Sequence, residues 1–340
     1  MPLIRVFLSH EPDALANFYG DTAIRELEAF AEVRINDSGQ VLTSEMLMAG
    51  ARDCDVVVLD RNTPADAAFF AGCAGVASVH RCAVDIRTID VAAASQAGVL
   101  VTNASPGFVD AVVELSLGLT IDLARSVSSY VSDYRRGAPP QARMGAQLSG
   151  STLGIIGYGA IGARLAEVAH ALGMTVLAYD PHKTIAGDSV RQTGLEALLS
   201  ASDFVHCLAT ATPETENLMG KTAFAAMKDS AYFINVSRGN LVDETALEEA
   251  LLSGRIAGAA MDVGRAADQK PSPRLARLPN VIATPHIGGQ TPAAIESQAL
   301  ETVAQVRAVS KGILPHNAIN PDRAFRFADF IGRRAQAAGS

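Results

Sequence analysis

The chemistry in this 340-residue chain gathers at two short polar breaks in apolar runs. Arg238, in INVSRGNLVDE, follows the run at residues 232–236, and His286, in ATPHIGG, follows the run at residues 281–283. The planar fork of an arginine suits bidentate binding of a carboxylate. A histidine titrates close enough to neutrality to pass a proton. Each residue sits just past a predicted strand, at the carboxyl end where open α/β sheets bind ligands. A solvated loop arginine is the bland alternative for Arg238. Its place between Ser237 and Gly239 at a strand end favours a functional role. Of the other histidines, His80 and His206 fall in or beside predicted strands and His170 falls in a predicted helix. His10, just after the first strand, stands as a substrate-side candidate.

A hydride-transferring site of this kind also needs a dinucleotide, and residues 149–180, SGSTLGIIGYGAIGARLAEVAHALGMTVLAYD, supply its signature. A strand at 153–156 breaks at Gly157, Gly159 and Gly162 in the order G-x-G-x-x-G. An alanine-rich helix follows over 160–172, and a second strand at 175–179 ends on Asp180. The first glycine allows a tight turn, the second allows backbone to approach a pyrophosphate, and the third allows close helix–strand packing. Phosphates are then favoured at the helix N-terminus. Asp180, 18 residues past Gly162, is placed to accept from both ribose hydroxyls and to repel a 2′-phosphate. The expected cofactor is NAD. With 28 glycines the triplet alone is weak evidence; the strand, helix and closing acid around it make it strong.

The bulk properties narrow the class. At 49% hydrophobic and 19% charged residues the chain reads as a well-buried α/β protein long enough for two domains. A net charge of −8 argues against a nucleic-acid or anionic-membrane binder. No apolar run reaches membrane-spanning length and no signal-peptide pattern opens the chain. The four cysteines, Cys54, Cys73, Cys82 and Cys207, lack CxxC spacing, so neither a metal site nor a redox pair is expected. Reduced buried thiols and a cytoplasmic location follow.

Strands alternate with helices throughout. Runs at 4–8, 33–35, 55–59, 76–79 and 99–102 read as strands, with helices at 12–30 and 90–96. The nearly uncharged stretch 109–125 reads as a helix apolar almost all round, buried at an interface. Residues 135–149 read as an irregular excursion. Beyond Asp180 the rhythm continues with helices at 195–200, 223–227 and 245–253 and strands at 204–208, 232–236, 256–262 and 281–283. A long helix at 292–310 and a polar tail follow. Two Rossmann-like doubly wound parallel-sheet domains are expected, the dinucleotide domain inserted into the substrate domain. Residues 1–102 with 292–340 would form the substrate domain and 103–291 the NAD-binding one.

At this point the chain resembles the D-isomer-specific 2-hydroxyacid dehydrogenases over residues 50–312. The likeness is carried by GIIGYGAIGARLAEVAHALGMTVLAYDP, the TPET of 212–215, FINVSRGNLVDETALEEALLSGRIAGAAMDV and LPNVIATPHIGG. It implies that Arg238 binds the substrate carboxylate and carbonyl oxygen, that His286 passes the proton, and that Asp262 lies near the nicotinamide. The cofactor set becomes Gly157, Gly159, Ala160, Ile161, Gly162, Asp180, Thr212, Ser237 and Asp262. A D-2-hydroxy acid and its 2-oxo acid are the implied substrates, and a homodimer through the NAD-binding domains is the implied assembly.

Two departures from the family pattern stand out. The family commonly continues MDV as F-x-x-E-P, whose glutamate pairs with the histidine; here Ala267 takes the glutamate position and Asp268 follows it. Losing that carboxylate should lower the histidine pKa, so Asp268 is expected to replace it in part. The family's substrate loop G-V-G-x-D-N-x-D reads here Ala83-Val84-Asp85-Ile86-Arg87-Thr88-Ile89-Asp90. Val84 and Asp85 join Arg238 as substrate contacts. Asp85 replaces a glycine and would favour a hydroxyl or amine over a second carboxylate, unless Arg81 or Arg87 neutralises it. A non-catalytic NAD(H)-binding regulatory protein is the rival reading, although retention of Arg238 and His286 speaks against it. Imine reduction on the same domain pair is a third.

Overall fold

Four consecutive apolar residues at Val56–Leu59 can all be buried only inside a sheet covered on both faces. The computed structural model, which describes residues 3–338 apart from the side chains of residue 268 and residues 335–338, shows this. Val56 and Val58 join one core with Ile4, Val6 and Leu8. Val57 and Leu59 join another with Phe7, Val79 and Val101. The period-two alternation of a strand thus assigns neighbouring valines to opposite faces.

The described residues cluster into two compact units, one of residues 1–108 with 291–340 and one of residues 109–290. The first runs β1 (Ile4–Leu8), α1 (Pro12–Phe18), α2 (Asp21–Glu28), β2 (Ala31–Ile35), α3 (Ser44–Gly50), β3 (Val56–Leu59), α4 (Ala67–Gly72), β4 (Ser78–Arg81), α5 (Val91–Ala97) and β5 (Leu100–Asn103). The second runs α6 (Val109–Arg125), α7 (Val127–Arg135), β6 (Thr152–Ile156), α8 (Ala160–Ala171), β7 (Thr175–Tyr179), β8 (Arg191–Gln192), α9 (Leu195–Ala201), β9 (Phe204–Cys207), α10 (Lys221–Ala226), β10 (Tyr232–Asn235), α11 (Glu244–Leu252), β11 (Gly258–Met261), α12 (Pro273–Ala276) and β12 (Val281–Ala283). Then α13 (Pro292–Ser310) and α14 (Phe325–Ala338) return to the first unit. Its parallel sheet has the order β2-β1-β3-β4-β5, and the second unit's has β12-β11-β10-β9-β6-β7-β8. Both are doubly wound α/β sheets.

Several local expectations are corrected. The helix expected at 12–30 is two helices, because Gly20 at φ +84° turns the chain between them. Short helices α3 and α4 fill stretches with no predicted element, each capped by a side chain, Thr43 accepting from the Met46 amide and Asp66 from the Phe69 amide. Helix α6 buries one stripe within the chain, including Val112, Leu119 and Leu123, and leaves Ile121 42% exposed on its other side. Helix α7 (Val127–Arg135) is unexpected from the sequence, while the irregular excursion expected over 135–149 does follow it. The tail is not merely polar either. Asn320 accepts from the Val101 amide at 2.8 Å and donates to the Val99 carbonyl at 2.9 Å, sealing the edge of β5. Phe327 and Phe330 on α14 enter the first unit's core.

Three histidines are packed into these cores as neutral rings. His80 lies between the Ser78 and Thr102 hydroxyls at 2.9 and 2.7 Å, and burial pushes its pKa down to about 3. His206, beside the Thr120 hydroxyl at 3.0 Å, is pushed down to about 3 by burial alone. His10 is lowered to about 4 by burial, with Arg81 adding to the effect and Asp60 opposing it. A histidine with a depressed native pKa binds its proton more readily when unfolded. Its stabilising neutral state is therefore complete above the unfolded pKa near 6.5 and is lost as pH falls toward the native value. Denaturant titrations from pH 7 to pH 5 should show falling stability, and His206→Gln should flatten the slope by about 1.4 kcal/mol per pH unit. An unchanged slope would show that His206 is not one of the titrating groups.

Candidate active site

The second unit's sheet reverses direction of growth between β6 and β9, the crevice where such sheets accept ligands. The glycine turn sits there. Gly157 has φ +94°, and a Cβ on it would come within 2.6 Å of the Ala209 backbone. A Cβ on Gly162 would meet the Gly157 carbonyl oxygen at 2.4 Å. The fold itself demands these two glycines. Gly159 differs, since a Cβ there meets no atom within 4 Å. It is also the N-cap of the 12-residue α8 and no side chain caps that helix. The first-turn amides of Ala160, Ile161 and Gly162 thus form an anion-binding end with open space at Gly159, which fits a dinucleotide pyrophosphate.

Asp180 ends β7 beside this turn. Its Oδ2 accepts from the Tyr158 amide and its Oδ1 from the His182 amide, each at 2.9 Å. Partial burial works to raise its pKa, but these two amides and the positive charge of Lys183 hold it below the ordinary carboxylate value. The group is therefore anionic at neutral pH and aligned by backbone, as ribose recognition requires. Asp180→Ala should relax the preference for NADH over NADPH by about tenfold or more in the ratio of kcat/KM values. An unchanged ratio would remove Asp180 from cofactor selection.

Arg238 follows β10, and Asn235 at the end of that strand arranges its loop. Asn235 is fully buried, accepts from the Ser237 amide at 3.1 Å and donates to the Arg238 carbonyl at 3.0 Å. Ser237 donates to the Ala209 carbonyl at 2.8 Å, tying this loop to the residue against which Gly157 packs. The Arg238 guanidinium is part-buried and donates to the Ser237 carbonyl at 2.7 Å. Thr212, after β9, starts a short turn in which its amide donates to Thr215 Oγ1 at 2.8 Å.

His286 follows β12 in a turn built by Asp262, which follows β11. The Asp262 carboxylate is 1% exposed and takes three donors: Thr284 Oγ1 at 2.6 Å, the Ile287 amide at 2.8 Å and the Gly288 amide at 2.8 Å. These donors bracket His286, whose backbone lies at φ +62°, a left-handed conformation unusual outside glycine. Asp262 thereby positions the histidine turn, a role that its sequence context did not suggest. Arg238 and His286, on loops after β10 and β12, flank Asp262 along the same carboxyl edge. Asn235 and Thr284 were missed in the sequence; the only signal for Asn235 is a polar residue inside an apolar run.

Ala267 lies exposed in the one-turn helix Ala267–Gln269. The side chain of Asp268, expected to stand in for the glutamate, lies outside the described residues. In the first unit, Asn103 donates to the Val84 carbonyl at 3.0 Å. Asp85 pairs with Arg87 at 2.7 Å, and these hydrogen bonds outweigh burial to hold its carboxyl down at about 2. Its extra charge is thus balanced within the loop. Arg81 turns inward instead, donating to the Asp60 carbonyl and to Thr88. His10 is only 1% exposed and packs against Tyr19 with tilted rings, so it is a core residue rather than an open substrate contact. Among the described residues no group of three His, Cys, Asp or Glu side chains could hold a metal ion. No described helix is long and apolar enough to cross a membrane.

Comparison with known proteins decides the family. A sequence profile of the D-isomer specific 2-hydroxyacid dehydrogenase, NAD binding domain, matches residues 117–288. The chain belongs to the D-isomer-specific 2-hydroxyacid dehydrogenase family. It is 32% identical over 270 residues to a hydroxypyruvate reductase of Thermotoga maritima, covering 78% of this chain and 88% of that protein. It is 34% identical over 307 residues to a D-3-phosphoglycerate dehydrogenase of Methanocaldococcus jannaschii, covering 88% of this chain and 57% of that one. The chain spans about half the length of the D-3-phosphoglycerate dehydrogenases it matches. Its fold is similar to the NAD+-bound D-lactate dehydrogenase of Lactobacillus jensenii, with a TM-score of 0.80, 25% identity and coverage of 93% and 99% of the two chains. As in the rest of this 2-hydroxyacid dehydrogenase family, the second unit is an NAD-binding domain.

Proposed function

We propose that this 2-hydroxyacid dehydrogenase relative interconverts a D-2-hydroxy acid and its 2-oxo acid. Bound NAD would accept or supply the hydride at C2. Arg238 holds the substrate carboxylate and polarises the C2 oxygen with its guanidinium fork. His286 delivers a proton to that oxygen in reduction and removes it in oxidation. Asp268 stands in for the glutamate that Ala267 replaces. Val84 and Asp85 complete the substrate contacts from the first unit, which extends past the expected boundary at 102 to residue 108 because β5 runs to Asn103. The unit of residues 109–290 carries the cofactor, held by Gly157, Gly159, Ala160, Ile161, Gly162, Asp180, Thr212 and Ser237, with Asp262 beside the nicotinamide.

The observation that carries this reading is the row of Arg238, Asp262 and His286 on loops after three neighbouring strands. A protein that only senses the nucleotide needs neither a carboxylate clamp nor an acid–base residue beside it. We further propose a homodimer through the NAD-binding domains, supported by the exposed apolar residues Ile121, Val127, Val131 and Tyr134 on α6 and α7. A cytoplasmic location is supported by four buried, unpaired cysteines. The test is NADH oxidation with 2-oxo acids of graded length, with and without ammonium. Turnover without ammonium is expected. Nucleotide binding without turnover of any acid, or turnover that requires the amine, would overturn the proposal.

A further inference from the structure

The segment after β11 departs from the family pattern, and its residues Gly264 and Arg265 solve a packing problem together. Gly264 lies where the family commonly has phenylalanine, and it has no space for a side chain. A Cβ on Gly264 would sit 2.6 Å from the Lys270 carbonyl oxygen and from Pro271 Cα. A Cβ on Gly239, next to Arg238, would sit 2.2 Å from the Gly264 carbonyl. The loops after β10 and β11 therefore meet backbone to backbone, with no apolar side chain of residue 264 to anchor them.

Arg265 makes the anchor instead. Its Nε donates to the Val242 carbonyl at 3.0 Å, and its Nη2 donates to the Asn240 carbonyl at 2.9 Å and to Asn217 Oδ1 at 2.6 Å. The same Nη2 pairs with Glu216 at 2.8 Å. Its own amide donates to Glu244 Oε1 at 3.0 Å. Glu216 also accepts from Asn240 Nδ2 at 3.2 Å, and Arg265 with Asn240 holds that carboxyl below its ordinary pKa. The backbones are joined as well, the Asn217 amide donating to the Asn240 carbonyl at 2.9 Å and the Met219 amide to the Leu241 carbonyl at 2.9 Å. One guanidinium thus ties residues 216–217, just past Thr212, to residues 240–242, two residues past Arg238. An exposed ion pair alone contributes little. A planar fork locked onto two main-chain carbonyls fixes a loop in a way that a point charge does not.

We propose that Arg265 is a positioning residue that sets the Arg238 loop in its substrate-binding arrangement. The proposal rests on the assignment of Arg238 to the substrate carboxylate. The test compares full-length Arg265→Ala, Arg265→Lys and Glu216→Gln. Arg265→Ala should raise KM for the 2-oxo acid about tenfold while kcat changes less than about threefold. Arg265→Lys keeps the charge but loses the fork, so its KM should lie closer to that of Arg265→Ala than to the wild type. Glu216→Gln keeps the carbonyl contacts and should stay within about twofold of the wild type. Amide exchange at Asn217, Met219 and Val242 should be about tenfold faster in Arg265→Ala. Faster exchange with unchanged KM would overturn the positioning role, as would a Glu216→Gln effect equal to that of Arg265→Ala. If the wild type turns over no 2-oxo acid, the functional proposal fails by itself. Exchange then judges the anchor alone: faster exchange upholds it and unchanged exchange overturns it.

Discussion

Replacing Arg238 with lysine is expected to lower kcat/KM for the 2-oxo acid by about 10²–10³-fold, roughly 3–4 kcal/mol of transition-state binding. Lysine keeps the positive charge, but it cannot present two parallel donors to a carboxylate and a carbonyl oxygen at once. The loop itself should survive the change. Its geometry depends on the Asn235 side chain, which holds the Ser237 amide and the Arg238 carbonyl, and on Ser237 bonded to Ala209. NADH affinity, measured by fluorescence titration, should therefore change little. Arg238→Ala should be more severely impaired and partly rescued by added guanidine, because a free guanidinium restores the missing fork. A lysine variant with full activity would remove Arg238 from the substrate site.

Replacing His286 with asparagine should lower kcat by about 10²–10⁴-fold with a smaller change in KM, the range expected for loss of a general acid–base group. Asparagine is the appropriate replacement for a physical reason. His286 has φ +62°, where alanine would add backbone strain while asparagine is tolerated. Asp262→Asn should act through the same residue. It exchanges a carboxylate that accepts from Thr284, Ile287 and Gly288 for an amide with a single acceptor oxygen, so at least one donor loses its partner. Its kcat should fall while the wild-type pH dependence is blurred or shifted. Asp268→Asn should alter the pH profile of kcat if Asp268 serves as the partner of His286; an unchanged profile would exclude it.

Much of the fold is legible in the apolar runs. Val56–Leu59 and Val176–Ala178 read as strands because a buried parallel strand leaves an uninterrupted apolar signature, and the part-exposed edge strand Val281–Ala283 is legible from its short apolar run alone. Short helices are harder. Only Leu47 is buried in α3 and only Phe69 and Phe70 in α4, too few to show a helical period. The C-terminal helix was hidden by its polarity, although Phe327 and Phe330 are spaced to share a face. In the proposed site, the places of Arg238 and His286 after β10 and β12 were legible because a polar residue just past an apolar strand has a recognisable position. Asn235, Thr284 and Arg265 were not. Thr284 and Arg265 act on groups that only the parallel order of β9 to β12 brings near, whereas Asn235 acts on the loop two and three residues ahead of it, through a turn that no apolar pattern records. Asp85 was legible as a charge but its balance by Arg87 was decided only by the loop's conformation.

The central claim, reversible hydride transfer at C2 of a D-2-hydroxy acid, is tested most directly by following the hydrogen itself. NADH carrying deuterium at the reactive C4 position is incubated with the protein and the best 2-oxo acid of the panel. The product is then analysed by mass spectrometry and chiral chromatography. The account predicts one deuterium at C2 of a product with D configuration, and none after the same incubation with His286→Asn for a matched short time. A product without deuterium at C2, or one of L configuration, would contradict it.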